Sequence, residues 1–296
     1  MNIHRLLASI LLSTMLWIGG YQSALAQLDC GVNPDAIQDA IDAAVSGGEN
    51  FVDIEFVGTC NSFSVRRISA NVSGDGTTSV VVGGIGLQGS TDNTFADFDV
   101  EGVSVCPPLE DCFVDGGIGV ARGSYLIVRR INIINGSLSV LHNSGADLFD
   151  STVEGPLGDQ AVIALFNSLV RLQFGNTITS ASPGTPAVAA ARNSTLLGQG
   201  GNTVSGNFLA LNVANGSYAN IRGGDWIGGV GAEIRSTIVA RPGASFDGNV
   251  TLSRGSTLVN EQDEDIVVSG NLVCEDRESS LSGNFDARTI RGCSPY

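Results

Sequence analysis

The sequence predicts an all-β chain: a right-handed parallel β-helix, a solenoid of roughly eleven coils with an N-terminal capping α-helix. Three observations predict it. A repeat of 19 to 26 residues runs through the second half of the chain. The period inside each unit is two, as in a half-buried strand. The composition, with 39 Gly and abundant Val, Ile, Thr and Ser, disfavours long helices. Repeats of this length belong to stacked folds in which each unit touches only its neighbours. The hand follows from the strong right-handed preference of parallel crossovers.

Ser124, Ser144, Ser168, Ser194, Ser217, Ser236, Ser256 and Ser280 mark the phase. Two residues after each mark come Leu126, Ala146, Val170, Leu196, Ala219, Ile238, Leu258 and Ser282, apolar except the last. Nine or ten residues after come Ile133, Val153, Ile178, Val204, Ile227, Phe246, Ile266 and Ile290, all apolar. Positions two and four therefore point inward. Position five carries mostly long polar side chains, among them Arg129, Gln173, Arg222 and Glu261, which want water. Gly123, Asn143, Asn167, Asn193, Gly216 and Gly255 precede their marks, and Gly and Asn accept the left-handed backbone of a tight turn. Asn176, Asn202 and Asp225 suggest a second turn at position eight. Each unit reads as strand, turn, strand, loop. Leucine-rich repeats are the competing architecture, but their Leu-x-x-Leu-x-Leu pattern does not recur.

Residues 50 to 123 continue the pattern less regularly. Val52 to Val57, Ser79 to Val82 and Phe95 to Val100 read as strands, enough for roughly three further coils. The expected organisation is a leader over 1–26 and a single β-helix domain over 27–296. Within that domain the capping helix spans 34–46 and the coils 50–296. Units stacked at the sheet spacing give a rod about 50 Å long.

The helix is read from Asn33-Pro34, an N-cap followed by proline, and from the stripe Ile37, Ala40, Ile41, Ala44 and Val45, closed by Gly47-Gly48. The segment Ala36-Ile37-Gln38-Asp39-Ala40-Ile41-Asp42-Ala43-Ala44 resembles the N-terminal helix of pectate-lyase-like β-helix proteins. In that superfamily such a helix covers the open end of the first coil. The resemblance implies architecture more than activity, because its members include lyases, galacturonases, epimerases, tailspikes and adhesins. Thr91-Asp92-Asn93-Thr94 is only a scrambled echo of the galacturonase pattern, whose Asp pair and Gly-His-Gly are absent. The epimerase stretch Asp-Pro-His-Glu is absent too. His142, the one histidine after the leader, falls in a turn and reads as a surface residue.

Residues 1–26 have the form of a secretory signal: Arg5, the apolar run Leu6 to Ile18, and Ala24-Leu25-Ala26 before the expected cleavage near Ala26. The expected location is extracellular or periplasmic, with no membrane insertion. Six cysteines, all after that point, suit an oxidising compartment. Sequence order pairs Cys30 with Cys60, Cys106 with Cys112 and Cys274 with Cys293, which staples the ends of the rod. Zinc is the weaker alternative, for want of Cys-x-x-Cys and histidine. The formal charge is −15 with no lysine. Such a surface repels nucleic acid and anionic lipid, and disfavours, without excluding, an acidic polymer as substrate. The sequons at Asn71, Asn135, Asn193, Asn215 and Asn249 mostly fall in repeat turns, so turn chemistry explains them.

Stacking the units brings opposite charges together in one place: Asp147 beside Arg171 and Asp150 beside Arg130, with Arg129 next to Phe149. As catalysts these four would resemble the acid-plus-arginine surface of a polysaccharide lyase, in which carboxylates can bind Ca²⁺; two carboxylates at glycosidase separation would be a further reading. As structure they form a ladder of surface ion pairs, which is the favoured reading. Asp97, Asp99 and Glu101 alternate onto one face and are the weak Ca²⁺ candidates; a solvated acidic face explains them equally. Glu261, Asp263, Glu264 and Asp265 read as an exposed loop. An ice-binding face would need longer threonine ranks than Thr177 with Thr203. No residue set meets a mechanistic requirement. The expected function is therefore that of a secreted, non-catalytic rod without cofactor: a surface, matrix or carbohydrate-binding module whose partner is a polysaccharide or cell-surface glycan. A polysaccharide lyase or glycoside hydrolase is the alternative.

Overall fold

The computed structural model describes residues 27–105 and 113–295. The leader over 1–26 and the Cys106–Cys112 pair lie outside them. Among the described residues the chain winds into a right-handed parallel β-helix of about ten turns, near the roughly eleven expected. Three walls form each coil, all with parallel in-register pairing.

The first wall stacks Gly117–Ala121, Ser137–Leu141, Val162–Leu165 and Pro186–Ala191. It extends toward the N-terminus through the second halves of Thr59–Arg66 and Val80–Gln88. The second wall stacks Tyr125–Arg129, Gly145–Phe149, Leu169–Leu172 and Thr195–Gly198. The third stacks Asn132–Ile134, Thr152–Gly155, Thr177–Ser180 and the start of Thr203–Ala214. The second and third walls are the two strands expected of each unit; the first wall is a third strand where the repeat pattern predicts a loop. The reason is compositional. A strand such as Pro-Ala-Val-Ala-Ala-Ala over Pro186–Ala191 carries little bulk to alternate, and insertions before it scramble the spacing.

The expected core is confirmed in the second wall, where Leu126, Val128, Val170, Leu172, Leu196, Ile221, Ile238 and Leu258 are buried. In the third wall Ile133, Val153, Ile178, Val204 and Ile266 are buried as expected, but Ile227 faces outward; Ile290 pairs with Leu272 on the first wall instead and is exposed. Val204 pairs with Trp226, whose indole fills the core in place of Ile227. Gly198 makes the room, since a side-chain carbon there would sit 3.1 Å from that ring. The last phase mark also shifts by one. Thr257 pairs with Ser280, so Ser279 is the true mark and buried-side Leu281, not Ser282, follows Leu258.

The marks are more than punctuation. Ser124, Ser144, Ser168, Ser194, Ser217, Ser236, Ser256 and Ser279 are all buried. Several accept a hydrogen bond from the N–H of the corresponding residue one coil earlier, as Ser194 Oγ does from Ser168 at 3.2 Å and Ser217 Oγ from Ser194 at 3.1 Å. The ladder satisfies backbone donors where the chain turns out of the ladder of strands. Asn176 and Asn202 do the same at the next corner, both fully buried and joined at 2.9 Å. Asp225 does not continue that pair; it pairs with Thr203 and lies exposed, and Gly224 takes the inner place.

Helix α1 (Ala36–Ser46) lies over the first coil, two residues shorter at its start than expected. Asn33 accepts from the Asp35 N–H and forms a turn ahead of the helix rather than its cap. Ala36, Ile37 and Ile41 are buried against the coil, whereas Val45 is exposed. Gln38 accepts from the Ser64 N–H at 2.8 Å, fixing the helix to the rod. Cys30–Cys60 bonds the segment before α1 to the first coil, and Cys274–Cys293 joins the last two coils, with Cα separations of 5.0 and 4.8 Å. Each closes a short loop at an end that has a neighbour on one side only, worth about 3 kcal/mol in the chain-entropy account.

Candidate functional site

The sequence candidates divide into two groups. Asp147 and Arg171 stand opposite each other on the outer side of the second wall, with Arg171 Nη1 3.4 Å from the carboxylate. Tyr125, two coils from Arg171, completes the group. Its hydroxyl accepts from Arg171 Nη1 at 3.0 Å, and its ring lies over Gly145, where any side chain would collide with it. Asp147 is thereby covered and only 8% exposed. Burial and the hydrogen bond to Asp147 push the Tyr125 hydroxyl up to about 12. A phenol held protonated can donate a proton but is a poor base at neutral pH. Tyr125 carried no sequence signal, because an aromatic at position one recurs only at Tyr218.

Arg130 belongs elsewhere. It pairs bidentately with Asp97, at 2.5 and 2.7 Å, and not with Asp150 as the stacking suggested. Asp150 is close enough only to add a weak favourable field. The Arg130 hydrogen bond holds the Asp97 carboxyl below the usual carboxylate range. The reason is the corner itself. Asp97, Arg130 and Asp150 all have left-handed φ, of 63°, 50° and 47°, which throws their side chains outward along one edge. Arg129 stacks over Phe149 as expected, 4.8 Å from the ring centre. Asp97 is engaged by arginine and Asp99 by the Asn132 amide at 2.8 Å, so the acidic face is already paired in part. Among the described residues no group of three or more His, Cys, Asp or Glu converges as metal ligands. His142 lies in a turn at φ 56°, exposed and stacked on Phe166. Thr152, Thr177 and Thr203 stack in three successive coils, one rung more than expected.

The open concave surface is on the first wall, which the sequence reading missed. A trough of about 450 Å³ runs across four stacked strands of that wall, lined by Ser62, Gly84, Gly86, Gly119, Ser139 and Asp159 among others. Gly86 stands between Ser64 and Gly119 in register, so backbone forms much of the floor. A Cβ built on Gly84, Gly86 or Gly119 meets nothing nearer than 3.8 Å, and none of the three has a left-handed backbone. The fold does not require glycine at these points. Each glycine weakens a strand by about 0.5–1 kcal/mol relative to alanine. What their smallness does is keep the floor low and open. Gly117, by contrast, is required structurally: its φ is 108° and a Cβ would sit 2.1 Å from the Ser137 carbonyl.

No protein-family model matches the chain, and no curated protein does. Among solved structures the fold is similar to the A-module of the mannuronan C-5 epimerase AlgE4 from Azotobacter vinelandii, with a TM-score of 0.52 at 10% identity over 87% of this chain and 93% of that one. At that identity the likeness shows the parallel β-helix fold.

Proposed function

We propose that the protein is a non-catalytic carbohydrate-binding rod whose ligand lies in the trough of the first wall. The observation that carries this reading is the floor of Gly84, Gly86 and Gly119, kept open where packing and backbone would both accept a side chain. An extended glycan needs an elongated, shallow surface with exposed hydrogen-bonding groups. The side chains of Ser62, Ser139 and Asp159 supply these here. A polysaccharide ligand is also in keeping with the structural neighbour, which is named as a mannuronan C-5 epimerase A-module. Two terminal disulfides suit an extracellular setting. No helix among the described residues is long and apolar enough to cross a membrane.

The test is a panel of immobilised glycans probed with the wild type and with Gly86→Phe and Gly119→Tyr. Both substitutions place a ring in the trough at positions with room for it, and aromatic residues favour strands. Retained thermal stability with at least tenfold weaker glycan binding is the expected result. Unchanged binding in both variants excludes the trough.

A second reading, a lyase on the second wall, rests on the contact of Tyr125, Asp147 and Arg171. The raised pKa of the phenol opposes its use as the base that a β-elimination requires. Unsaturated product seen by ultraviolet absorbance with the wild type, and lost in Tyr125→Phe, would promote this reading.

A further inference from the structure

Along the strands of the trough, two residues beyond its floor, lies a second opening of about 410 Å³ lined by Arg66, Arg67, Gln88, Gly89 and Arg122. Three consecutive coils build it. Arg66, Gln88 and Ala121 are in register, and the next residues, Arg67, Gly89 and Arg122, share a left-handed backbone at φ 60°, 61° and 58°. The three arginines are exposed, and among the described residues none of them forms an ion pair. The middle rung is Gly89, and a Cβ built on it meets nothing within 4 Å. Arg67 and Arg122 thus flank a gap two sheet spacings wide, about 9.6 Å between backbones. The gap is floored by a residue without a side chain and edged by the Gln88 amide.

The rest of this corner shows what a satisfied arginine looks like. Continuing from Arg122, the corner carries His142, Phe166 and Arg192 in successive coils, linked by backbone hydrogen bonds from Gly123, Asn143 and Asn167. Arg192 lies over one face of Phe166 at 4.4 Å, and His142 stacks on that ring at 4.7 Å. The guanidinium groups of Arg66, Arg67 and Arg122 have no such partner among the described residues, and no carboxylate lines their opening. Three like charges held within two sheet spacings repel one another, in a chain whose formal charge is −15. An anion between them relieves that repulsion. The planar fork of each guanidinium can take two oxygens of a carboxylate or sulfate at once.

We infer that this arginine gap binds an acidic substituent, the carboxylate or sulfate group of a glycan whose neutral part lies in the adjoining trough, an inference that rests on the glycan reading above. It assigns the ligand class as an acidic oligosaccharide, against the expectation from net charge, because the field at this corner is locally positive.

Calorimetric titration of the full secreted chain tests it, using a neutral, a uronate-bearing and a sulfated oligosaccharide of equal length, with inorganic sulfate as a fourth ligand. The variant is Arg67→Asn with Arg122→Asn, since asparagine tolerates the left-handed backbone that both positions need. A matched Lys double variant keeps the charges and removes the forks. The expected result is acidic over neutral preference in the wild type, lost at least tenfold in the Asn variant and recovered only in part by Lys. Whichever of the uronate and sulfated arms binds tighter names the substituent. Equal binding of neutral and acidic ligands, or an Asn variant that binds acidic ligand like the wild type, overturns the gap and leaves the trough standing. Binding of sulfate alone, weakened in the Asn variant and with no oligosaccharide bound, supports the gap and overturns the glycan reading. No binding of any of the four overturns both.

Discussion

Two corners of the same coil use the same backbone device to opposite effect. Where the second wall turns into the third, left-handed residues present Asp97, Arg130 and Asp150, and the charges find each other. Where the first wall turns into the second, left-handed residues present Arg67, Arg122, His142, Phe166 and Arg192, and three nearby arginines stay without acidic partners among the described residues. Beneath both corners runs a buried polar ladder, of serines under the arginine corner and of Asn176 with Asn202 under the acidic one. The interior of each corner is settled by hydrogen bonding, so the exterior is free to vary. One exterior is internally neutralised and reads as stability; the other is left open and reads as recognition.

The interiors should yield the largest effects. Asn202 Nδ2 donates to the Leu172 and Gln173 carbonyls at 3.0 and 3.1 Å, and its Oδ1 accepts from Asn176. Asn202→Leu strands several of these groups at once and should lower unfolding free energy by about 3–5 kcal/mol, measured by denaturant titration. Ser194→Ala, which removes one rung of the serine ladder, should lower it by about 1 kcal/mol by the same measurement. Equal losses would mean that the two ladders are interchangeable supports.

The exteriors come next. Arg130 is more than half exposed, so Asp97→Asn should change stability by about 1 kcal/mol or less. The pH dependence gives the sign. The folded-state pKa of Asp97 lies below its unfolded value of about 3.9, so its contribution is present above that pH and is lost as pH falls through the folded value. The gap in stability between wild type and Asp97→Asn should therefore close in acid, starting below about pH 4, and stay constant above it. Smallest of all should be Arg122→Asn: less than about 0.5 kcal/mol in stability. A destabilisation as large as that of Asn202→Leu would make Arg122 a structural residue and erase the contrast between the corners.

How much of this the sequence disclosed depends on residue size and coil length. The second wall was legible because bulky residues alternate in it, as Val170 and Leu172 do around Arg171. The first wall was not: Ile85 and Leu87, and Ile118 and Val120, do alternate with the glycines, but runs so rich in Gly read as turns. The same glycines that hid the strand leave the trough open. The serine marks gave the phase, but their burial was invisible, since serine in a turn is the ordinary expectation. Ile227 failed as a core residue because Trp226, one position earlier, has the larger apolar surface to bury. The arginine gap needs Arg67, Gly89 and Arg122 aligned across coils of unequal length. Ser90 and Ser124 stack although 34 residues apart, because the antiparallel hairpin of Val103–Val105 with Phe113–Asp115 is inserted there. No fixed repeat length finds that register. Asp147 with Arg171 lies in coils of nearly constant length, and was found.

The most direct test of binding without turnover on the first wall is a single calorimetric trace, in which the oligosaccharide that binds best is injected into the wild-type protein. The expected trace is a saturable isotherm that returns to baseline after each injection, with the oligosaccharide recovered intact, and an affinity at least tenfold lower for Gly86→Phe. Sustained heat after each injection with shortened or unsaturated product, or an isotherm for Gly86→Phe that matches the wild type, would contradict it.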